Sequence, residues 1–330
     1  MQIKEYLQTY QPIIYKTFKN ALENNTLSHA YLLVGEAGTN LLATVKYLAK
    51  SIICDDKDPF ACNNCITCLR VDSDNYPDFI VYDGSKDTIK KDAINDIESK
   101  FEKTAFETKG IKIYILNLVE NMTLEAVNSV LKFLEEPENN IYAFLTTNNE
   151  NLVLPTILSR CQVMHLRPIP RRDVINEAIK EGINQDDAEL LSYFYNDVEL
   201  IEEELNSKES GKNYISAKNA LNEFLEALCQ SYKEAIFIEQ TEILPLLKSK
   251  ESTRFFLDML INFFEQLLLR KNNKEILLKS YEQRLDDLLK NLTNIESSLI
   301  ELLKGRNLIN LNVNTSLLLD HLTFTILGKD

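Results

Sequence analysis

Four of the six cysteines, Cys54, Cys62, Cys65 and Cys68, fall within fifteen positions in a C-x7-C-x2-C-x2-C pattern. Four thiolates that close in sequence suit a tetrahedral Zn²⁺, which would crosslink a loop with little core of its own. With all four positions filled by sulfur, such a site is closed and structural rather than catalytic. Two rival readings use the same residues: four buried thiols in a reducing compartment, or an iron–sulfur cluster. The run Cys62-x2-Cys65-x2-Cys68 has the cluster-like gaps, but no Cys-Pro follows at the expected offset.

A second stretch with chemical content runs through residues 28–54. An apolar strand, residues 30–34, enters a loop with two glycines and then a helix from about residue 41 to 53. That is the strand–loop–helix frame of a phosphate-binding loop. The loop itself reads Gly35-Glu36-Ala37-Gly38-Thr39-Asn40-Leu41-Leu42. Phosphate chemistry needs Gly-Lys-[Ser/Thr] where this chain has Asn40-Leu41-Leu42. Leucine neither neutralises a phosphate nor ligates magnesium. The strand expected to carry the acidic pair, residues 111–116, ends in Asn117-Leu118. In an ATPase one acid there helps hold Mg²⁺ and another polarises water. The next carboxylate, Glu120, reads as a solvated loop group. Both halves of an ATP centre are therefore expected to be defective, with no ATP in this chain's own site.

The elements around these residues follow from apolar periodicity. A helix is expected over residues 12–24, with Pro12 at its first position and Ile14, Phe18 and Leu22 on one face. A short strand covers 78–83, a helix 90–105, and a helix 123–136 that Pro137 stops. Strands at 141–147 and 163–166 complete an α/β unit whose near-continuous apolar strands imply a parallel sheet. Pro168 and Pro170 mark a boundary. Helices follow at 174–180, 187–195 and 198–206, and residues 213–330 read as helical throughout. There, residues 255–269 look buried, and Leu285, Leu288, Leu289, Leu292, Ile295, Leu299 and Leu302 form one stripe. His29 reads as a core or strand-edge residue, and Cys161 and Cys229 as ordinary buried thiols.

A chain of 330 residues suggests two or three domains. Its 50 acidic and 36 basic residues give a formal net charge of −14, which disfavours a protein whose main task is coating nucleic acid. No charged-then-apolar N-terminal pattern suggests export, and no apolar run approaches the ~18 residues of a membrane span. A cytoplasmic protein is expected.

Taken together these residues resemble the bacterial clamp-loader AAA+ subunits of DNA polymerase III, the gamma/tau/delta-prime group. Asn128-Ser129-Val130-Leu131-Lys132-Phe133-Leu134-Glu135-Glu136-Pro137 is similar to their N-A-L-L-K-x-L-E-E-P signature. Leu158-Ser159-Arg160-Cys161 is similar to their Ser-Arg-Cys motif. Ser28-His29-Ala30-Tyr31-Leu32-Leu33 matches their first core strand, the cysteines their zinc module, and Asn312-Val313-Asn314-Thr315-Ser316-Leu317-Leu318-Leu319 the end of their collar.

Asn40-Leu41-Leu42 and Asn117-Leu118 place the chain in the delta-prime branch, which usually lacks functional ATP motifs. The absence of Lys or Arg from residues 186–206 agrees, since the ATPase members carry a sensor arginine there. The resemblance implies a RecA-like AAA+ domain with the zinc module (1–167, cysteines 54–68), a small helical lid (168–210) and a helical collar that oligomerises (211–330). It implies a non-hydrolysing end subunit of the clamp loader, not an enzyme on its own but a component of the DNA polymerase III holoenzyme. Its partners would be gamma/tau ATPase subunits and the delta subunit, with the sliding clamp and primed DNA reached through the complex, and no membrane. Arg160 would act as an arginine finger in trans, positioned by Ser159. The competing readings are an active gamma/tau-like ATPase and a zinc-dependent nucleic-acid binder on an incidental P-loop frame.

Overall fold

A computed structural model describes residues 3–101, 105–135, 140–230, 232–292, 294–311 and 313–327. The chain separates into two compact units, Met1–Ile169 and Pro170–Asp330.

The first unit is built on five parallel strands. They are β1 (Ala30–Val34), β2 (Phe79–Asp83), β3 (Lys112–Asn117), β4 (Ile141–Thr147) and β5 (Gln162–His165), in the order β2-β3-β4-β1-β5. The registers are Ala30↔Ala143 for β1–β4, Tyr31↔Gln162 for β1–β5, Phe79↔Ile113 for β2–β3 and Lys112↔Ile141 for β3–β4. The three inner strands are buried almost throughout, which explains why they read as unbroken apolar runs. The edge strands are half-buried or exposed apart from Met164. Strand β5 ends one residue earlier than expected, although Leu166 N–H still bonds to the Val34 carbonyl at 2.8 Å.

Helices cover both faces. They are α1 (Ile3–Tyr10), α2 (Pro12–Asn24), α3 (Leu41–Ile53), α4 (Ile66–Asp72), α5 (Lys91–Phe101), α6 (Leu124–Glu135) and the single turn α7 (Pro155–Leu158). Helices α1 and α4 were not evident from periodicity. One face buries Leu32, Tyr114, Leu116 and Leu145 against Ile94, Ile97 and Phe101 of α5 and Val130 and Leu134 of α6. On the other, Phe18 of α2 meets Tyr31 and Phe144 at ring-centroid distances of 5.4 and 6.4 Å, and Tyr31 stacks on Phe144 at 5.2 Å. Gln11, buried between α1 and α2, exchanges hydrogen bonds with the Arg167 backbone at 2.7 and 2.9 Å, fastening the N-terminal helices to the end of the sheet. The expected ends of α5 near 105 and of α6 at Glu136-Pro137 run into residues 102–104 and 136–139, which lie outside the described residues, as does Asn312.

The second unit is helical: α8 (Arg171–Lys180), α9 (Gln185–Leu191), α10 (Val198–Asn206), α11 (Ser210–Gln230), α12 (Tyr232–Ile238), a π-helical turn (Glu239–Ile243), α13 (Leu244–Leu246), α14 (Lys250–Lys271), α15 (Glu282–Asn291), α16 (Ile295–Leu308) and α17 (Thr315–Ile326). Its centre is α14, opened by a capping box between Ser249 and Ser252 and buried along Phe256, Leu257, Leu260, Ile261, Phe263, Phe264 and Leu267. It packs on α11, α15 and α16. The leucine stripe over 285–302 belongs to two helices. The chain turns extended at Leu292, and Asn294 restarts it, with its amide donating to the Thr325 carbonyl at 2.7 Å. Gly305 lets α16 approach α17: a Cβ there would stand 2.9 Å from Leu322 Cδ1.

Candidate metal centre and the altered phosphate loop

The four cysteines converge. Cys54 ends α3, Cys62 and Cys65 lie in the following loop, and Cys68 sits in α4, which Cys65 N-caps by accepting from Cys68 N–H. All four sulfurs lie within 4.8 Å of one another. Cys54 Sγ is 3.5 Å from Cys62 Sγ, 3.8 Å from Cys65 Sγ and 3.6 Å from Cys68 Sγ. A tetrahedral Zn²⁺ with Zn–S bonds of ~2.3 Å requires S···S separations of about 3.8 Å. The donor set therefore fits a closed, four-thiolate metal site, and the distances are far from a disulfide's ~2.05 Å.

The loop is shaped for thiolates. Asn64 and Cys65 N–H groups point at Cys62 Sγ, at 3.5 and 3.3 Å, around a turn in which Asn63 takes the left-handed conformation (φ +61°). Those two donors lower the Cys62 thiol to about 7. Burial instead raises Cys54 and Cys68, an opposition that a divalent cation among the sulfurs would remove by favouring every thiolate.

The loop is anchored independently of any metal. Phe60 is buried and stacks on Tyr15 at 4.8 Å and Tyr47 at 6.0 Å, and Ala61 N–H donates to Ser51 Oγ at 2.8 Å. Lys50, only 6 % exposed in α3, reaches both carboxylate oxygens of Asp72 in α4 at 2.7 and 2.8 Å. Arg70 pairs with both oxygens of Glu107 at 3.0 and 2.7 Å. Lys109 bonds the Ile53 carbonyl and the Asp55 carboxylate, holding the Asp55 carboxyl down near 2. None of these partners was legible in the sequence, because each joins residues many positions apart.

The loop after β1 is closed on itself. Leu41, the first residue of α3, is 3 % exposed and lies across Gly35, where a Cβ would stand 3.0 Å from Leu41 Cδ2. Asn40 caps the helix, its Oδ1 accepting from Ala43 N–H at 3.1 Å. Leu41 N–H donates to the Thr39 carbonyl at 2.8 Å and Thr39 N–H to the Glu36 carbonyl at 3.1 Å. Gly38 supplies the φ of +87° the turn needs. Three backbone donors of the loop and helix start, the N–H groups of Thr39, Leu41 and Ala43, are here spent within the loop, and an isobutyl group stands in the lysine's place.

At the end of β3, buried Asn117 is fixed by two side-chain hydrogen bonds. Its amide donates to Asp83 Oδ1 at 2.6 Å and its oxygen accepts from Thr146 Oγ1 at 2.6 Å. Leu118 takes φ +56°, its N–H bound to Thr146 Oγ1 at 2.9 Å. The sequence expectation for Glu120 needs correction: it is not a solvated loop carboxylate. Its Oε1 accepts from Asn148 N–H at 2.8 Å and its Oε2 is buried without a partner among the described residues. It serves the end of β4.

Arg160 lies between α7 and β5. Its Nη1 donates to the Thr156 carbonyl at 2.9 Å and to Ser159 Oγ at 3.3 Å, and its Nη2 to Glu135 Oε1 at 2.6 Å. Cys161 is half-buried and its thiol is raised to about 12 by burial, so it packs rather than reacts. Strands β1 and β5 are parallel, with Tyr31 beside Gln162 and Val34 beside His165. Arg160 precedes β5 while the loop follows β1. They therefore lie at opposite ends of the sheet, separated by at least four strand residues, or ~13 Å. The folding that brings the cysteines together keeps the arginine away from this chain's own loop.

A parallel sheet in this order, with the loop-to-helix turn at the carboxyl end of β1 and a helical unit following, defines an α/β protein of the P-loop, AAA+ class. Residues 10–170 match the family model described as DNA polymerase III, delta subunit. The DNA polymerase III subunit delta' of Bacillus subtilis is 30% identical over 321 residues, covering 96% of each chain. Subunit tau of the same organism is 32% identical over 173 residues, 52% of this chain and 30% of tau. Among solved structures, a gamma subunit-related protein of Thermotoga maritima aligns over 95% of this chain and 98% of that one, with 18% identity and a TM-score of 0.45. The chain belongs to the DNA polymerase III delta' family of clamp-loader subunits.

Proposed function

We infer that this chain is a non-hydrolysing clamp-loader subunit, which helps place the sliding clamp on primed DNA and lends Arg160 to the ATP site of a neighbouring gamma/tau ATPase subunit. One observation carries the reading: the loop that frames a nucleotide has no cation, and the cation of the Ser-Arg-Cys motif stands at the other end of the sheet. An arginine there is out of reach of its own loop and available to a neighbour. Guanidinium suits the task, being always charged and presenting a planar fork to phosphate oxygens. Ser159 steadies it from the adjacent position. In this reading α8–α10 form the lid and α11–α17 the collar that joins the gamma/tau and delta subunits. The four cysteines hold a structural Zn²⁺, and the complex works in the cytoplasm.

The test uses the assembled loader. Arg160→Ala should leave the chain folded and co-eluting with its partners. Turnover at the site it serves should fall by about 10³-fold, the lower end of what arginine fingers supply. An unchanged rate in the complex removes the finger. Failure to co-elute with clamp-loader subunits removes the assignment altogether.

A further inference from the structure

The geometry points to Glu135 as the positioning residue of Arg160: it clamps one Nη of the guanidinium and leaves donors on Nε and Nη2 for a phosphate. The inference rests on the finger reading and adds a residue to it. Three contacts fix the guanidinium: Thr156 O and Ser159 Oγ on Nη1, and Glu135 Oε1 on Nη2. A guanidinium has five N–H donors. Among the described residues Nε makes no hydrogen bond, and one Nη2 hydrogen is left over. These two donors on adjacent nitrogens are the ones left to meet phosphate oxygens.

The clamp stands on rigid ground. Glu135 ends α6 immediately after Leu134, and Arg160 lies between Leu158 and Cys161. Leu134 is in the buried core on that face of the sheet, and Leu158 and Cys161 pack against it. The two side chains themselves are 51 % and 31 % exposed. An ion pair so open to water is weak, so Glu135 does not hold the arginine against an arriving phosphate. Its effect is to narrow the rotamers of a long, flexible side chain before the neighbour docks, which counts toward rate through orientation.

In the assembled loader, Glu135→Ala should lower kcat for ATP by about three- to tenfold, with KM and co-elution unchanged. Glu135→Gln, isosteric and still an acceptor through its amide oxygen, should lose less. On an Arg160→Ala background, Glu135→Ala should cause no further loss, because the two act as one unit. Unchanged turnover in both Glu135 variants overturns the inference. So does a rise in turnover, which would make the carboxylate a brake, or an equal loss on the Arg160→Ala background, which would place its effect elsewhere. Arg160→Ala alone having no effect is a different outcome, and it removes the finger reading itself.

Discussion

Glu239 shows what one side chain does when folding removes its water. It lies in the π-helical turn after α12, is 2 % exposed, and its Oε1 has no hydrogen-bond partner among the described residues. Burial, with Asp320 close by, raises its carboxyl from 4.5 to about 7, against a hydrogen bond from Thr323. The folded pKa lies above the unfolded one, so the fold favours the neutral acid. The stability this group contributes is fully present below 4.5 and is lost as pH rises through about 7. Glu239→Gln keeps the shape without the charge. Its melting temperature should match wild type in acid and exceed it increasingly toward pH 8, by an equivalent of about 1–3 kcal/mol. A constant difference across that range would show that Glu239 does not titrate there. Nothing in the sequence marks this residue, since an isolated Glu in a helical run reads as a solvated one. Arg160 and Leu41 were legible singly, by residue type against a motif. Their partners were not: Glu135 is 25 positions from Arg160, and Gly35 meets Leu41 only because the loop folds back.

At the scale of elements, the cysteine loop illustrates how little local sequence has to fix when long-range contacts share the work. The spacing alone announced four candidate ligands, and the structure gathers their sulfurs within 4.8 Å of one another. The supporting contacts, Phe60 among the aromatic rings and Lys50 on Asp72, came only with the fold. They predict how the module fails. Cys62→Ser combined with Cys65→Ser should abolish bound zinc and lower the loop's resistance to proteolysis, while Phe60 and Lys50 keep α3 and the sheet in place. Elemental analysis together with limited proteolysis reads both effects. Wild-type protein with no zinc, or with an iron chromophore, would contradict the assignment. The strands were legible because parallel strands buried on both faces are apolar without alternation. The leucine stripe over 285–302 misled in one respect: helical spacing carries on from one helix, ending at Asn291, into a second that begins at Ile295, and both helices pack on α14.

At the scale of the molecule, the sheet order sets where the two motifs stand. Placing β1 between β4 and β5 puts the loop at one end of the sheet and the Ser-Arg-Cys motif at the other. In the proposed reading a nucleotide site made from such parts is completed between neighbours rather than within one chain. In that reading this chain keeps the half that is given away. The half that would receive is filled with Leu41, Asn40 and the loop's own hydrogen bonds. The net charge of −14 disfavours a protein whose main task is coating nucleic acid.

The most direct measurement is a titration of the isolated, zinc-replete chain with Mg·ATP, followed by an assay for phosphate release. With aliphatic side chains where lysine and the magnesium ligand belong, and Asn117-Leu118 where the acidic pair belongs, no saturable millimolar or tighter binding and no release above background are expected. Tight binding accompanied by steady turnover would contradict the account at its centre.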